Sequence, residues 1–245
     1  MISNPNFRND PQRPLLEHLQ SLRDMVLFGG AAWLVCSVLA GVFSPWILAM
    51  LKAPAMEYEG MLQGLDLTSG FSAIFSIAVW GGVALGFPFM AYAVLRFVFP
   101  ALTRREKAVL LTVLLSGSAL FLTGVYLAYA QTLPLVVSVF QRVNGWVGLP
   151  VTTIRIEGYI AIAIKTIIAF GLVFQLPLVL FVLGLFGVVT SRALREKRRV
   201  AIVASFVLGM LLTPPDPMSQ ILMAVPLCLL YEISVWAVYL KERAR

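Results

Sequence analysis

Residues Tyr159–Gly187 read YIAIAIKTIIAFGLVFQLPLVLFVLGLFG, and Lys165 is the one charged residue in this apolar run. An α-helix rises 1.5 Å per residue, so about 20 apolar residues cross the hydrocarbon core of a bilayer. The run exceeds that length, whereas apolar runs of about 10–14 residues are typical of helices buried in a soluble core. The pattern therefore predicts a helix that spans a membrane.

Apolar runs of similar composition lie on both sides of this one. They predict an all-α polytopic membrane fold with six transmembrane helices, of which the fifth and sixth are short. The fifth run would be only about 20 Å long, against a hydrocarbon core of about 30 Å. The composition agrees, since 60% of the residues are hydrophobic and 13% are charged, against about 25% charged in a soluble domain. The predicted spans are Met25–Leu51, Phe71–Leu95, Ala108–Val139, Tyr159–Gly187, Val200–Leu212 and Met218–Leu240.

Several of these spans contain proline residues. Proline lacks an N–H group and its ring clashes with the preceding helical turn. Pro134 comes near the end of the overlong third run and predicts a kink or an interfacial turn there. Pro88 and Pro177 predict bends in the second and fourth spans, where neighbouring helices can satisfy the freed carbonyl groups.

The distribution of lysine and arginine predicts the orientation. Fifteen of these residues flank the spans on one side and three on the other, with Lys165 inside a span. Short loops rich in these residues stay in the cytoplasm, so both chain ends are predicted to be cytoplasmic. Leucines at helical spacing over residues 15–27 predict an amphipathic helix on the inner membrane surface. The predicted organisation is an N-terminal cytoplasmic segment at 1–24, a membrane domain at 25–240 and a cytoplasmic tail at 241–245.

Other functional classes are poorly supported by the residues present. The net charge of +7 lies in short clusters between apolar runs, where it contacts lipid headgroups and not nucleic acid. His18 is the only histidine, and Cys36 and Cys228 lie far apart within apolar runs, so no metal site or cofactor is expected. Intramembrane proteolysis needs a buried serine–histidine pair or two facing aspartates, and Asp66 and Asp216 lie in predicted outer loops. We therefore expect no enzymatic activity.

Three polar residues inside predicted spans require an explanation, because polar groups in hydrocarbon are costly. Lys165 either extends its ammonium group to the outer headgroups or lines a polar cavity. Gln175 lies nearly three turns further along the same helix, and such a side chain more often forms an interhelical hydrogen bond than a transport site. Glu232 has no cation near it in sequence, and it is paired, protonated or exposed to water.

Motifs at fixed spacing run along residues 15 to about 240. The most specific is GMLLTPPD at Gly209–Asp216, followed by Ser219-Gln220. The others are His18-Leu19 with Leu22-Arg23, Ala53-Pro54, Phe99–Leu102 with Glu106, Phe170-Gly171 with Phe174-Gln175 and Pro177, Lys197–Arg199, Ala224–Pro226 and Tyr231–Ile233. Together they resemble the TatC family, which supplies the receptor subunit of the twin-arginine protein translocase.

The resemblance implies a multi-pass protein of the bacterial inner membrane with no cofactor. It implies binding of the twin-arginine signal peptides of folded precursors. It further implies a complex with single-span TatA- and TatB-like partners, in which the proton-motive force drives export, and it allows a homo-oligomer of this chain.

The resemblance implies a role for the cytoplasmic carboxylates, and the motifs and predicted spans indicate roles for three groups of residues. In the family, cytoplasmic carboxylates hold the arginines of the signal peptide in charge-assisted pairs that lysine cannot copy, and Glu106 matches one of them. The whole signal-peptide group is Glu17, His18, Leu19, Ser21, Arg23, Phe97, Pro100, Arg105 and Glu106. The group that contacts partner helices is Gln175, Met210, Leu211 and Thr213. A structural cap on the outer, periplasmic side consists of Pro54, Pro214, Pro215 and Asp216.

Two positions depart from the family. The family pattern is His-Leu-x-Glu-Leu-Arg, and Ser21 stands in place of that glutamate. Glu17 lies one turn before Ser21, on the same helix face, and is a candidate replacement. Leu95-Arg96-Phe97 stands where the family has a Trp-x-Phe type of sequence, which adds the positive charge of Arg96.

Two alternatives to the translocase receptor stay open. One is a degenerate TatC-like scaffold that no longer binds signal peptides. The other is a small-solute or ion secondary transporter, in which Lys165, Gln175 and Glu232 would line the path. An inverted-repeat transporter would show broken helices at corresponding places in two halves, and the sequence shows no such pair.

Overall fold

The computed structural model describes residues 13–55, 62–98, 104–148, 153–185, 187–212 and 217–243, and their side chains except those of 13–18, 98, 104–110, 185, 211–212, 218–219 and 222. Helices make up nearly all of this part of the chain. They are α1 (Arg13–Val42), α2 (Ser44–Lys52), α3 (Ser69–Val98), α4 (Arg104–Leu127), α5 (Leu133–Trp146), α6 (Ile156–Val173), α7 (Leu176–Leu185), α8 (Ser191–Glu196), α9 (Arg198–Leu212) and α10 (Pro217–Arg243). A π-helical turn, Ala128–Thr132, joins α4 to α5, and β1 (Leu62–Gln63) pairs in parallel with β2 (Ile154–Arg155).

Five helical segments of the described chain are long and apolar enough to cross a membrane. They correspond to the first, second, third, fourth and sixth predicted spans. Their bounds are Leu19–Val42, Ser69–Phe97, Leu111–Trp146, Ile156–Gly184 and Met223–Arg243.

The remaining predicted span is α9, which has 15 residues and packs antiparallel to α10. The prediction of a short fifth helix is thus confirmed. A short sixth helix is wrong, because α10 has 27 residues. Pro217 stands at its first position, where the missing N–H has no helical partner to lose, and the helix continues past Pro226 to Arg243.

Contacts at several points show that three pairs of spans pack antiparallel: α1 with α3, α4 with the span of α6 and α7, and α9 with α10. One end carries Arg23, Arg96 and the cations of residues 192–199, and is called the basic end below. There Tyr231 donates to the carbonyl of Leu194 at 2.7 Å, and Glu242 accepts hydrogen bonds from the backbone N–H and the hydroxyl of Ser191. These contacts hold α8 against the final helix.

The opposite end is joined by contacts between α2, the strands and α6. Tyr159 donates to the carbonyl of Leu51 at 2.7 Å, and Arg155 pairs with Asp66 at 2.6 Å. The first predicted span is interrupted here at Phe43, so the prediction of one helix over Met25–Leu51 is wrong. Pro45 cannot donate to the carbonyl one turn earlier, which allows a new helix to begin at Ser44. At its other end α1 is continuous, with no break at the predicted boundary after residue 24.

Proline affects the three other spans differently. Pro134 is the second residue of α5, which follows the π-helical turn directly, and the kink or interfacial turn expected there stays a prediction. Pro177 is the second residue of α7, which follows a turn at Phe174 and Gln175. Pro88 lies inside α3, which remains one helix of 30 residues.

Small residues bring α1 and α3 into close contact. A Cβ atom placed on Gly82 would lie 2.8 Å from the Cα of Ser37, inside ordinary contact distance. Trp33 adds a hydrogen bond across the same interface, from its indole N–H to the carbonyl of Val79 at 3.1 Å. The two helices therefore pack backbone to backbone, and this fixes the position of their ends relative to one another.

Candidate functional site

A cavity of about 360 Å³ opens between α1 and α3 at the basic end, and is called the α1–α3 cleft below. The residues of α1 that line it recur every three or four positions, which places them on one helix face. Two of the lining residues, Phe28 and Tyr92, are in contact across the cleft, and their rings meet edge to face with centroids 6.1 Å apart. The lining is Ser21, Asp24, Met25 and Phe28 from α1, with Tyr92, Ala93, Arg96 and Phe97 from α3.

The described residues that line the cleft include one carboxylate, one guanidinium group and several aromatic rings. The carboxylate of Asp24 accepts from Nε of Arg23 at 3.1 Å and from Nη2 at 2.9 Å, both on the same oxygen. Both side chains are about two-thirds exposed. Arg96 lines the wall that α3 provides. The cleft thus combines a group that can bind a cation with a group that repels one.

The structure brings some of the predicted signal-peptide residues into this cleft and not others. Ser21 and Phe97 line it. Leu19 and Arg23 are exposed on α1 outside the lining. The side chains of Glu17, His18, Pro100, Arg105 and Glu106 lie outside the described residues.

Asp24 and Tyr92 are cleft residues that the sequence analysis missed. The family pattern ends at Arg23, and within that pattern the carboxylate nearest to Ser21 on the same helix face is that of Glu17. Asp24 lies three residues after Ser21, and positions three apart on a helix are neighbours on its surface. Helical spacing in the forward direction would have found it.

The predicted partner-helix residues lie elsewhere on the bundle. Gln175 is half-buried and donates to the carbonyl of Gly117 in α4 at 3.0 Å. Met210 is exposed near the end of α9. The side chain of Leu211 and all of Thr213 lie outside the described residues. Contact of these residues with a partner helix stays a prediction.

The predicted intramembrane charges are also apart. Glu232 pairs with Arg198 of α9 at 2.7 Å. Of the three states expected for this residue, the structure shows the paired one. Lys165 is exposed on the surface of α6. Of the predicted cap, Pro54 is half-buried after α2, and Pro214, Pro215 and Asp216 lie outside the described residues.

These features define a polytopic helical membrane protein with a polar cleft between its first and second long spans. Comparison with known proteins then shows the family. Residues 17–226 match the family model described as Sec-independent protein translocase protein (TatC). The chain belongs to the TatC family, and the resemblance found in its sequence motifs is confirmed.

Similar proteins extend over nearly the whole chain. The TatC protein of Aquifex aeolicus strain VF5 is 34% identical over 234 residues, which cover 95% of this chain and 97% of that protein. The TatC protein of Escherichia coli K12 is 32% identical over 227 residues, which cover 91% and 87%. Two crystal structures of the twin-arginine translocase receptor TatC match with TM-scores of 0.81 and 0.80, at 32% and 35% identity. The matches cover 89% and 91% of this chain and 98% of each of theirs.

Proposed function

We propose that this chain is the signal-peptide receptor of a twin-arginine translocase. It has six spans in the inner membrane of a bacterium, with both chain ends in the cytoplasm. In that orientation the basic end, and with it the α1–α3 cleft, faces the compartment in which folded precursors are made. Membership of the TatC family supports this role in protein transport.

The observation that carries the proposal is the chemistry of the cleft. An arginine side chain is a planar cation that pairs with carboxylates and stacks on aromatic rings. The cleft provides the carboxylate of Asp24 beside the rings of Phe28, Tyr92 and Phe97. Glu106, in the first turn of α4, supplies the family carboxylate for the second arginine.

Partner helices bind at another part of the surface. TatA- and TatB-like single-span proteins pack against the region of Gln175, Met210, Leu211 and Thr213, and the proton-motive force drives the transport step. Further copies of the chain join the complex through the exposed apolar surfaces of its spans. Interhelical polar contacts of about 0.6–2 kcal/mol are enough to add specificity to such packing.

The secondary-transporter alternative requires three polar residues to face a common path. Lys165 is exposed on α6. Gln175 bonds to Gly117 of α4, and Glu232 pairs with Arg198 near the basic end. Their separate environments favour the receptor over a solute pathway.

The test is peptide binding to the full chain in lipid nanodiscs. A labelled twin-arginine signal peptide should bind at least about tenfold more tightly than its twin-lysine version, because lysine lacks the planar fork of donors. Glu106→Ala should weaken the binding of the twin-arginine peptide, and the loss should shrink at higher salt, since exposed charges are screened. Equal affinity for the two peptides, with no effect of Glu106→Ala, would instead support the degenerate scaffold.

A further inference from the structure

We propose that Asp24 is the residue of the α1–α3 cleft that selects arginine, in place of the glutamate that this chain lacks at Ser21. The inference rests on the receptor function proposed above and assigns one residue within that site. Among the described residues that line the cleft, Asp24 is the one that carries a carboxylate.

Asp24 lies close to the position of the missing glutamate. Ser21 and Asp24 are three residues apart on α1, which is about 4.5 Å along the helix axis, and both line the same cavity. The displacement is less than one helical turn. A carboxylate at residue 24 therefore reaches the same ligand that a glutamate at residue 21 would reach.

Asp24 already binds a guanidinium group within this chain. Arg23 places two of its nitrogen atoms within 3.1 Å of one oxygen of Asp24. Exposed ion pairs of this kind contribute only about 0–1 kcal/mol, so this pair opens easily. An arginine of the incoming peptide can replace Arg23 on the carboxylate and also enter the aromatic part of the cleft, which Arg23 does not line.

The wall of the cleft opposite Asp24 carries the positive charge of Arg96. Arg96 lines the cleft from α3, so the cleft without Asp24 would present a cation to an incoming cation. Asp24 offsets that repulsion. Its loss should consequently weaken binding more than the loss of one exposed ion pair would suggest.

The experiment uses the full chain in nanodiscs and two peptides, the twin-arginine signal peptide and a version with citrulline at both arginines. Citrulline keeps the shape of arginine and removes its charge. Asp24→Asn should lower the affinity for the twin-arginine peptide by about tenfold or more. The affinity for the citrulline peptide should change by no more than about twofold. Ser21→Glu added to Asp24→Asn should restore most of the lost affinity, because it returns a carboxylate to the same wall.

The matched control is Glu196→Gln. Glu196 is also an exposed carboxylate at the basic end and pairs with an arginine, Arg192, at 3.0 Å, but it lies outside the cleft. Its variant should bind both peptides as the wild type does. Equal losses for Glu196→Gln and Asp24→Asn would mean a general effect of surface charge and would overturn the assignment.

The outcomes separate this inference from the receptor function. A wild type that fails to distinguish the peptides contradicts the receptor function itself. A wild type that does distinguish them, together with an Asp24→Asn variant of unchanged selectivity, overturns only the role of Asp24. If Asp24→Asn does not stay folded, a cysteine at Met25 should crosslink to a cysteine next to the peptide's arginine pair, with Cys36 and Cys228 replaced by alanine. Absence of that crosslink also overturns the assignment.

Discussion

Gln175 donates its side-chain amide to the carbonyl oxygen of Gly117 at 3.0 Å, directly at the turn that separates α6 from α7. The contact joins the interrupted fourth span to α4. The amide that the sequence offered to a partner helix is therefore used within this chain, and its two roles can be separated by mutation.

Gln175→Leu should lower the thermal unfolding midpoint in detergent, because an interhelical hydrogen bond in a membrane protein contributes about 0.6–2 kcal/mol. It should also weaken co-purification with a single-span partner. Gln131→Leu is the matched control, since Gln131 is exposed on the π-helical turn. A variant that loses stability and keeps the partner would limit Gln175 to a structural role.

Gly82→Ala should destabilise the protein by about 1–3 kcal/mol, because the added methyl group meets the backbone of Ser37. The control is Gly30→Ala on α1, where nothing lies within 4 Å of the new Cβ atom. That variant should be neutral or stabilising by up to about 1 kcal/mol, as expected from helix propensity. Thermal unfolding of both variants in one detergent makes the comparison, and equal midpoints would contradict the close packing of α1 and α3.

A double-mutant cycle on Arg198 and Glu232 should give a coupling energy of about 1 kcal/mol. The comparison pair is Arg192 and Glu196, whose side chains are 90% and 65% exposed against 46% and 39% for the first pair. The more exposed pair should couple by only about 0.3–0.5 kcal/mol. A larger coupling for Arg192 and Glu196 would show that screening by solvent does not set the order.

Reporter fusions test the orientation. A reporter placed after Gly60, Gly145 or Asp216 should read as outside, because few cations flank those positions. One placed after Lys107 or Arg199 should read as inside. Reversal at two or more of these positions would rule out six spans with both ends in the cytoplasm.

Hydropathy predicted the long spans well because lipid-facing and buried surfaces are both apolar, so the signal persists whichever way a helix packs. It missed the break at Phe43, since an apolar run looks the same whether or not the helix changes direction. Pro45 was the local signal, and only its backbone chemistry points to the break.

Contacts between distant residues were beyond the reach of local patterns. The partner of Glu232 is Arg198, which lies 34 residues earlier in the chain. Pairings of this type depend on which helices become neighbours. The sequence predicted only some of the residues of the cleft, because the family motif includes Ser21 and ends before Asp24.

The attachment of α8 to α10 has a consequence for biosynthesis. Ser191 is synthesised before its partner Glu242, which is 51 residues further along the chain. At a synthesis rate of about 5–20 residues per second, that interval lasts about 3–10 seconds. During this interval α8 has been made but lacks the helix that holds it in the folded protein. This end of the protein would then acquire its final form only after α10 has been made, later than the spans that precede it.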